Sequence, residues 1–388
     1  MRPLDGVHVV DLSVARAGPA AVRLLAEWGA SVVRVEIPGD VGGIAADHES
    51  SDYINLHCNK ELITLDLKDT RGQEVLFRLL ENADVLVENF RPPVKQRLGL
   101  SYDMISERFP RLVYASISGF GQDGPLSSKG AVDQIIQGMA GLMSITGEPS
   151  SAPTRAGIAI ADMSAGNILA NGILLALLER ERSGKGQWVQ TSLLEALISM
   201  LDFQAARWTV DNECPSRVGN DHPTISPMGT FNTADGYLNI AAPNDRLWKK
   251  LCEALGEPEL LDDPDYATTS SRHRNKTQLT RVLENIFLTH TREELVAKLD
   301  EAGVPCGPVN TVAEAFAEPQ VTHLGLVTAI NHPVRGDVNV LRSPISMSRT
   351  SGVPKASSPL ASADTDTVLQ RLGYTADQVE KMRTDQVV

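Results

Sequence analysis

The sequence predicts an α/β fold: a large domain with a mostly parallel sheet covered on both faces, and a smaller α+β domain added late in the chain. Three observations lead there. Val7–Leu12 is a short, mostly apolar segment without strict apolar–polar alternation, the mark of a strand buried on both sides. Through residue 116 such segments alternate with helical stretches, which calls for crossover connections and parallel neighbours. From Met228 onward a hairpin signal and three helical segments mark a differently built unit.

After the first strand a tight turn leads to a helix that opens near Pro19, a favoured first helical position, and ends at Gly29. Ser31–Glu36 is the second strand. Residues 38–59 form a loop rich in Gly, Asp and Ser, long enough to be functional. Leu62–Leu67, Val85–Glu88 and Leu112–Ser116 are further strands, with a helix from Thr70 to about Asn82 between the first two. Ser118–Pro125 is either a flexible turn at a pocket mouth or a plain connection. Trp188–Thr191 is a sixth strand, and Ser192–Val210 is a helix leading out of the domain. The expected division is residues 1–210 with 331–388 as the large domain, 211–227 as a polar linker, and 228–330 as the small domain. In the small domain Ala234-Asp-Gly236 turns a hairpin between Thr230–Thr233 and Tyr237–Ala241. Helices follow at Asp245–Leu255, Lys276–Thr289 and Thr291–Ala302, the last with Thr291 and Glu294 as a capping box and Gly303 as its stop. Val327–Ile330 and Val338–Leu341 are strands returning to the large domain, which the helices Asp364–Leu372 and Thr375–Arg383 close.

At 388 residues the chain has ample length for two domains and a large core. A net charge of −13 and a pI near 5.1 argue against a surface that binds nucleic acid. Cys58, Cys214, Cys252 and Cys306 are far apart and show neither metal nor redox spacing, which suits a reducing cytoplasm. His222 and His323 have no second His or Cys at ligand spacing, so no metal is expected. The turn Ala15–Pro19 is not a G-x-G-x-x-G turn, and no phosphate-cradling G-x-x-x-x-G-K-[ST] occurs, which removes the usual nicotinamide, flavin and nucleotide fingerprints. No signal peptide or anchor is visible at the N-terminus.

The longest apolar run, Arg155–Leu178, holds a single acid, Asp162, flanked by small residues. A helix should begin at about Asp162 or Ser164 and stop at Ser183-Gly184, with Arg180 and Arg182 in the last turn where cations suit the helix dipole. The run is long enough to span a bilayer, but Asp162, Asn167 and Asn171 inside it favour a buried core helix and no membrane. At the helix start Asp162 has two readings. A cap is the commoner role for an Asp in that place. A nucleophilic carboxylate needs room for a bulky electrophile and little competing water, and the Gly and Ala neighbours supply the room. The pattern alone leaves both open.

A wider match bears on the choice. The chain resembles the class III CoA-transferase family (formyl-CoA transferase and carnitine CoA-transferase) along nearly its whole length. The motifs that carry the resemblance are Asp11-Leu-Ser with Ala17-Gly-Pro19, Gly29–Glu36, Asn59-Lys60 with Leu65-Asp-Leu-Lys68, Val87-Glu-Asn-Phe90, Asp162 with Ser183-Gly-Lys-Gly186, and Gly303–Pro308. Each is weak alone; six in order are specific. The resemblance implies a Rossmann-like large domain built from both chain ends, a smaller inserted domain, and an interlocked homodimer. It implies that Asp162 is the nucleophile, and that CoA and acyl-CoA are substrates, with no cofactor held permanently. Carried over by motif, the CoA contacts would be Arg16, Ala17, Leu65, Lys68, Asn89, Phe90, Arg97 and Leu98. Of these Arg16, Lys68, Asn89 and Arg97 lie beyond strand ends, where ligands of open α/β sheets bind.

The sequence also departs from the family pattern. Arg16 stands where formyl-CoA transferase has Gln, and Ile37 where it has a CoA-contacting Arg, so the groove has moved a cation. Gly219-Asn-Asp-His-Pro223 replaces a tetraglycine loop, which weakens the case for oxalate and formate as substrates. Near the C-terminus Pro359–Thr365 departs from the usual Pro-Leu-Leu-Gly-x-His-Thr. The expected activity is transfer of CoA from an acyl-CoA such as succinyl-CoA to a small carboxylic or dicarboxylic acid. The resemblance makes Arg155 the candidate cation for the second carboxylate, since relatives acting on succinyl-CoA and small dicarboxylates often carry an Arg there and its planar fork matches both oxygens. A surface salt bridge or a CoA contact is the alternative. The alternatives are an α-methylacyl-CoA racemase-like isomerase and a non-catalytic acyl-CoA-binding relative. Racemization needs bases on both faces of the α-carbon. Here Val132 and Asn244 stand where racemases place a His and a Glu.

Overall fold

A computed structural model of the chain describes residues 1–38 and 47–388. Contacts divide it into two compact units: residues 1–142, 155–213 and 325–388 form the first, and residues 143–154 and 214–324 the second. Relative to the expected 1–210, 228–330 and 331–388, the segment 143–154 joins the second unit and the return to the first begins at Gly325.

The first unit alternates strand and helix: β1 (His8–Asp11), α1 (Ala17–Glu27), β2 (Ser31–Glu36), α2 (Ser51–His57), β3 (Lys60–Thr64), α3 (Thr70–Leu80), β4 (Val85–Glu88), α4 (Pro92–Arg97), α5 (Tyr102–Arg108) and β5 (Val113–Ser118). It continues through α6 (Asp133–Met139), the short α7 (Leu142–Ile145) that leads into the second unit, α8 (Ile160–Ser183), β6 (Trp188–Ser192), α9 (Leu193–Met200) and α10 (Phe203–Asp211). The strands make a wholly parallel six-stranded sheet in the order β3-β2-β1-β4-β5-β6, the doubly wound order in which the chain reverses direction between β1 and β4. Successive residues of β1 serve opposite faces. Val9 joins a core with α1, α6, α8 and α9, and Val10 joins one with α3 and α5. That is why consecutive mid-strand residues such as Val9-Val10, Val32-Val33 and Val85-Leu86-Val87 are apolar rather than alternating.

Several elements differ from expectation. β3 starts earlier and ends at Thr64, where its partner β2 ends, although the apolar pattern runs on to Leu67. Of the expected loop 38–59, residues 39–46 lie outside the described residues, and Ser50 caps α2 by accepting from Tyr53 N at 3.2 Å. The single helix expected over 192–210 is two, broken at Asp202 (φ +47°). α4, α5 and α6 were not expected; each is short, and Pro92-Pro93 opens the first of them.

The second unit contains a three-stranded antiparallel sheet, β7 (Met228–Thr233), β8 (Gly236–Ala241) and β9 (Cys306–Pro308), whose first two strands form the expected hairpin. α11 (Asp245–Leu255), α12 (Thr269–Arg274), α13 (Lys276–Phe287) and α14 (Arg292–Ala302) accompany it, and α15 (Val312–Ala317) and α16 (Pro319–Leu324) end the unit. Its core is Phe231, Leu238 and Ile240 of the sheet against Trp248, Leu283, Phe287 and Leu299 of the helices.

Back in the first unit, β10 (Val327–His332) and β11 (Gly336–Leu341) pair as an antiparallel hairpin. α17 (Thr365–Arg371) and α18 (Ala376–Thr384) complete the second core face. The divergent C-terminal motif has a structural role here. Asp364 Oδ2 accepts from Leu62 N at 2.8 Å, and Asp364 N donates to Leu62 O at 3.1 Å. Thr365 Oγ1 accepts from Thr64 N at 3.4 Å. These bonds occupy the outer edge of β3, which would otherwise be an unpaired sheet edge.

Candidate active site

The crevice of a doubly wound sheet lies at the carboxyl ends of the strands flanking the reversal, here β1 and β4. A cleft of about 150 Å³ occupies that position. Val14, Ala15, Arg16 and Ala17 after β1 line it, with Asn89 after β4, Ile117–Gly119 at the end of β5, Ala131 and Val132 before α6, Asp162 on α8 and Leu193 on α9. Close backbone packing assembles it. A Cβ on Gly166 would sit 2.6 Å from Ala17 O, so α8 and α1 meet almost backbone to backbone and bring Asp162 beside the start of α1. A Cβ on Gly119 would come within 2.2 Å of Ala131 Cβ, so only glycine lets the two walls approach.

Asp162 is not the cap of α8. The helix starts at Ile160 after Ala159, which makes no side-chain cap bond, and Asp162 is its third residue. The capping is done from outside by Asp133 in the first turn of α6. Its Oδ1 accepts from Ala161 N at 2.8 Å and Asp162 N at 3.4 Å, while Oδ2 accepts from Gln137 Nε2 at 2.6 Å. The Asp162 carboxylate is half-buried and takes no hydrogen bond from any described residue. Burial pushes its pKa up, the Asp133 charge adds to the rise, and Arg16 opposes it; the result is about 6. At neutral pH it is therefore mostly an anion, more basic than an ordinary Asp, with its lone pairs unclaimed. Small side chains surround it. That is what attack on a bulky electrophile requires.

The walls are themselves fixed. Asn89 Oδ1 accepts from Val14 N at 2.9 Å, and its Nδ2 donates to Val14 O at 2.8 Å. Arg16 pairs with Asp52 of α2 at 2.7 Å. Gln137 ties the approach to α8 to α6: its Oε1 accepts from Ala156 N at 2.8 Å and its Nε2 donates to Ile158 O at 3.3 Å. Among the described residues no thiol lines the cleft. Burial pushes the Cys58, Cys252 and Cys306 thiols up to about 11, 12 and 11. Among the described residues no three metal-ligating side chains converge.

With that geometry in place, a model of CoA-transferase family III matches residues 4–365. The chain belongs to that family. It is similar to the succinyl-CoA:glutarate CoA-transferase of Mus musculus, with 34% identity over 395 residues that cover 100% of this chain and 91% of the relative. It is similar to the acetyl-CoA:oxalate CoA-transferase of Acetobacter aceti at 37% identity over 324 residues, 82% of this chain and 83% of that one. A crystal structure of a CAIB/BAIF family protein from Brucella suis matches with a TM-score of 0.86 at 36% identity, covering 96% of this chain and 99% of that chain.

In this family III CoA-transferase the residues singled out by motif separate into two groups. Arg16, Ala17 and Asn89 line the cleft with Asp162. The others lie outside it. Leu65 and Leu98 are buried in the second core face, Phe90 packs against that core, and Lys68 and Arg97 are exposed. Arg155 is exposed on the segment that Gln137 holds and forms no ion pair with a described residue. Val132 lines the cleft and carries no proton-accepting atom. Asn244, in the second unit, is the cap of α11, accepting from Leu247 N at 3.0 Å. Asp133 and Gln137 were not foreseen as site residues. Their four-residue spacing, which places them on one helix face, was the available signal.

α8 is long and apolar enough to cross a bilayer by length and composition alone. Half of its most apolar window is nevertheless buried, and Ala165, Leu169, Ile173 and Ala176 pack in the first core face as a core helix does.

Proposed function

We propose that the chain transfers CoA from a succinyl-CoA-type donor to a short dicarboxylate or related acid through covalent intermediates on Asp162. The observation that carries the reading is a half-buried carboxylate with raised basicity, without hydrogen-bond donors of its own, in a small-walled cleft at the reversal of the sheet. An Asp162 oxygen attacks the donor thioester carbonyl, giving a mixed anhydride and CoA thiolate. The thiolate attacks the aspartyl carbonyl of the anhydride, releasing the donor acid and leaving an aspartyl-CoA thioester. The acceptor carboxylate attacks that thioester to form a second anhydride and thiolate. The thiolate then takes the acceptor acyl group and frees Asp162. Each step exchanges one activated carbonyl for another, so the thioester energy is kept. The route uses no metal or redox cofactor.

CoA contacts are assigned to Arg16, Ala17, Leu65, Lys68, Asn89, Phe90, Arg97 and Leu98. A homodimer is part of the reading. It is supported by the exposed apolar side chains Leu175 and Leu178 of α8, Ile198 and Met200 of α9, and Trp208 of α10, a surface that favours burial against a second copy. Four unpaired cysteines support a cytoplasmic location. A racemase-like reaction is disfavoured by Val132 and by the capping role of Asn244, since neither supplies a base.

Arg155 is assigned to the distal carboxylate of the dicarboxylate. The succinyl-CoA:glutarate relative supports that substrate class. Arg155→Ala should raise KM for glutarate about tenfold, the loss of a modest ion pair, and leave KM for succinyl-CoA within about twofold. A panel of acids assayed against succinyl-CoA and acetyl-CoA tests both points. Preference for long neutral-tailed acids, or unchanged glutarate kinetics in the variant, would end the dicarboxylate assignment.

A further inference from the structure

Three charged residues from the sequence motifs do not line the cleft, yet all are buried: Asp11 at 0%, Arg34 at 2% and Lys60 at 5% exposure. Burying charges is costly unless each is paired. Here each is. Lys60 Nζ lies 3.1 Å from Asp11 Oδ2, and Arg34 Nη1 lies 3.6 Å from the same oxygen. Arg34 Nε also donates to Glu36 Oε1 at 2.8 Å. The cluster ties the end of β1 to the middle of β2 and the start of β3, and it secures α1, because Lys60 Nζ donates to Pro19 O at 3.2 Å as well.

Lys60 Nζ also lies 3.2 Å from His57 Nδ1 of α2, and the remaining bonds go to one short turn. Asp11 Oδ1 accepts from Ser13 N at 3.0 Å and Ser13 Oγ at 2.5 Å, and Arg34 Nη1 donates to Ser13 O at 2.8 Å. From the opposite side Asn89 takes both backbone groups of Val14. The next residue, Ala15, sits at φ +62°, a conformation that a residue with a side chain adopts only when its surroundings impose it. Gly18 leaves no slack either, since a Cβ there would lie 2.3 Å from Ser13 Cβ. The turn so fixed, Val14–Arg16, is a wall of the Asp162 cleft.

We propose that Asp11, Arg34 and Lys60 are positioning residues that fix the Ser13–Arg16 turn to receive the thioester end of acyl-CoA, an inference that rests on the CoA-transferase reading of the cleft. They touch no substrate and act through the backbone of the turn. Burial lowers the Lys60 pKa from 10.5 to about 8, with Asp11 opposing and Arg34 assisting. The charged and titratable groups around Lys60 are Asp11 of β1, Arg34 of β2, Arg23 of α1 and His57 of α2. Loss of the Lys60 proton therefore removes one of the two cations at Asp11 and loosens the turn as pH rises through about 8.

The test compares full-length wild type with Lys60→Met and Ser13→Ala. Ser13→Ala keeps every charge paired and carries the test if Lys60→Met does not fold. In Lys60→Met, KM for succinyl-CoA should rise about tenfold while KM for glutarate stays within about twofold, the scale of a lost charged hydrogen bond. Ser13→Ala should move the same constant in the same direction by less. The wild type should show a rise in succinyl-CoA KM above pH 8 that Lys60→Met lacks. Unchanged succinyl-CoA KM in the folded variants, equal movement of both KM values, or an alkaline rise that persists in Lys60→Met would overturn the proposal. Calorimetric binding of free CoA to the wild type separates the two levels. Binding with unaffected variants defeats the positioning role alone, whereas no binding and no exchange defeats the transferase reading and this inference with it.

Discussion

Asp11 and Asp162 stand in the same unit and are both withdrawn from water, yet they are driven in opposite directions. Asp11 is fully buried. Burial alone would raise its pKa, but Lys60, Arg34 and the two Ser13 hydrogen bonds outweigh that and hold it below the usual carboxylate value. Asp162 is only half-buried, and its pKa rises to about 6 because burial and Asp133 together outweigh Arg16. If burial alone decided, the order would be reversed. What decides is pairing. The paired carboxylate has its oxygens claimed and serves the frame; the unpaired one keeps basic lone pairs and is free to attack.

The largest break in that comparison is removal of the proposed attacking group. Asp162→Asn should lower CoA-exchange turnover by a factor on the order of 10⁴, as loss of a catalytic nucleophile does. The same substitution should stabilise the fold. An Asp whose folded pKa is raised is penalised when ionised, so the penalty is absent below its unfolded value of 3.8, grows toward about 6, and is complete above that. Two pKa units discounted for partial exposure amount to about 1–2 kcal/mol. Urea unfolding should show that gain at pH 8 and lose it below pH 4.

The opposite result is expected at the paired site. Asp11→Asn leaves Lys60 buried without its carboxylate and Arg34 with Glu36 alone, and it should cost about 3–5 kcal/mol of stability. The depressed pKa of Asp11 sets the sign: its contribution is present above the unfolded value of 3.8 and is lost as pH falls through the folded value. The two Asp→Asn variants should thus shift unfolding midpoints in opposite directions at pH 8. A common direction would mean that pairing does not distinguish the sites. The smallest effect sharpens the comparison. Asp133→Asn keeps an oxygen to accept from Ala161 N but removes the negative charge, so the acid limb of kcat should move below about 6.

Much of this was legible in the chain itself. The strands of the parallel sheet carry consecutive apolar residues such as Val9-Val10 and Val85-Leu86-Val87, and with the intervening helical stretches that predicts crossovers and two covered faces. The run around Asp162 has one acid in an apolar helix, which reads as a cap or a nucleophile. The choice against the cap was not legible, because it depends on Asp133, which is 29 residues away in sequence and reaches the same helix end only after folding. The end of β3 was missed for a similar reason: Leu65 and Leu67 are as apolar as a strand requires, but β2 stops at Glu36, whose carbonyl takes a last bond from Leu65 N at 2.8 Å, and the ladder ends there. Asp11 and Lys60 were visible only as motif letters. Their bond spans 49 residues, and no local spacing announces it.

The central claim is that Asp162 carries a covalent bond during turnover. The direct measurement is to incubate the protein with succinyl-CoA, quench with hydroxylamine, and locate the modification by peptide mass mapping. The account predicts a hydroxamate on the peptide containing Asp162, dependent on succinyl-CoA and absent from Asp162→Asn. CoA exchange at an undiminished rate with Asp162 unmodified would contradict it.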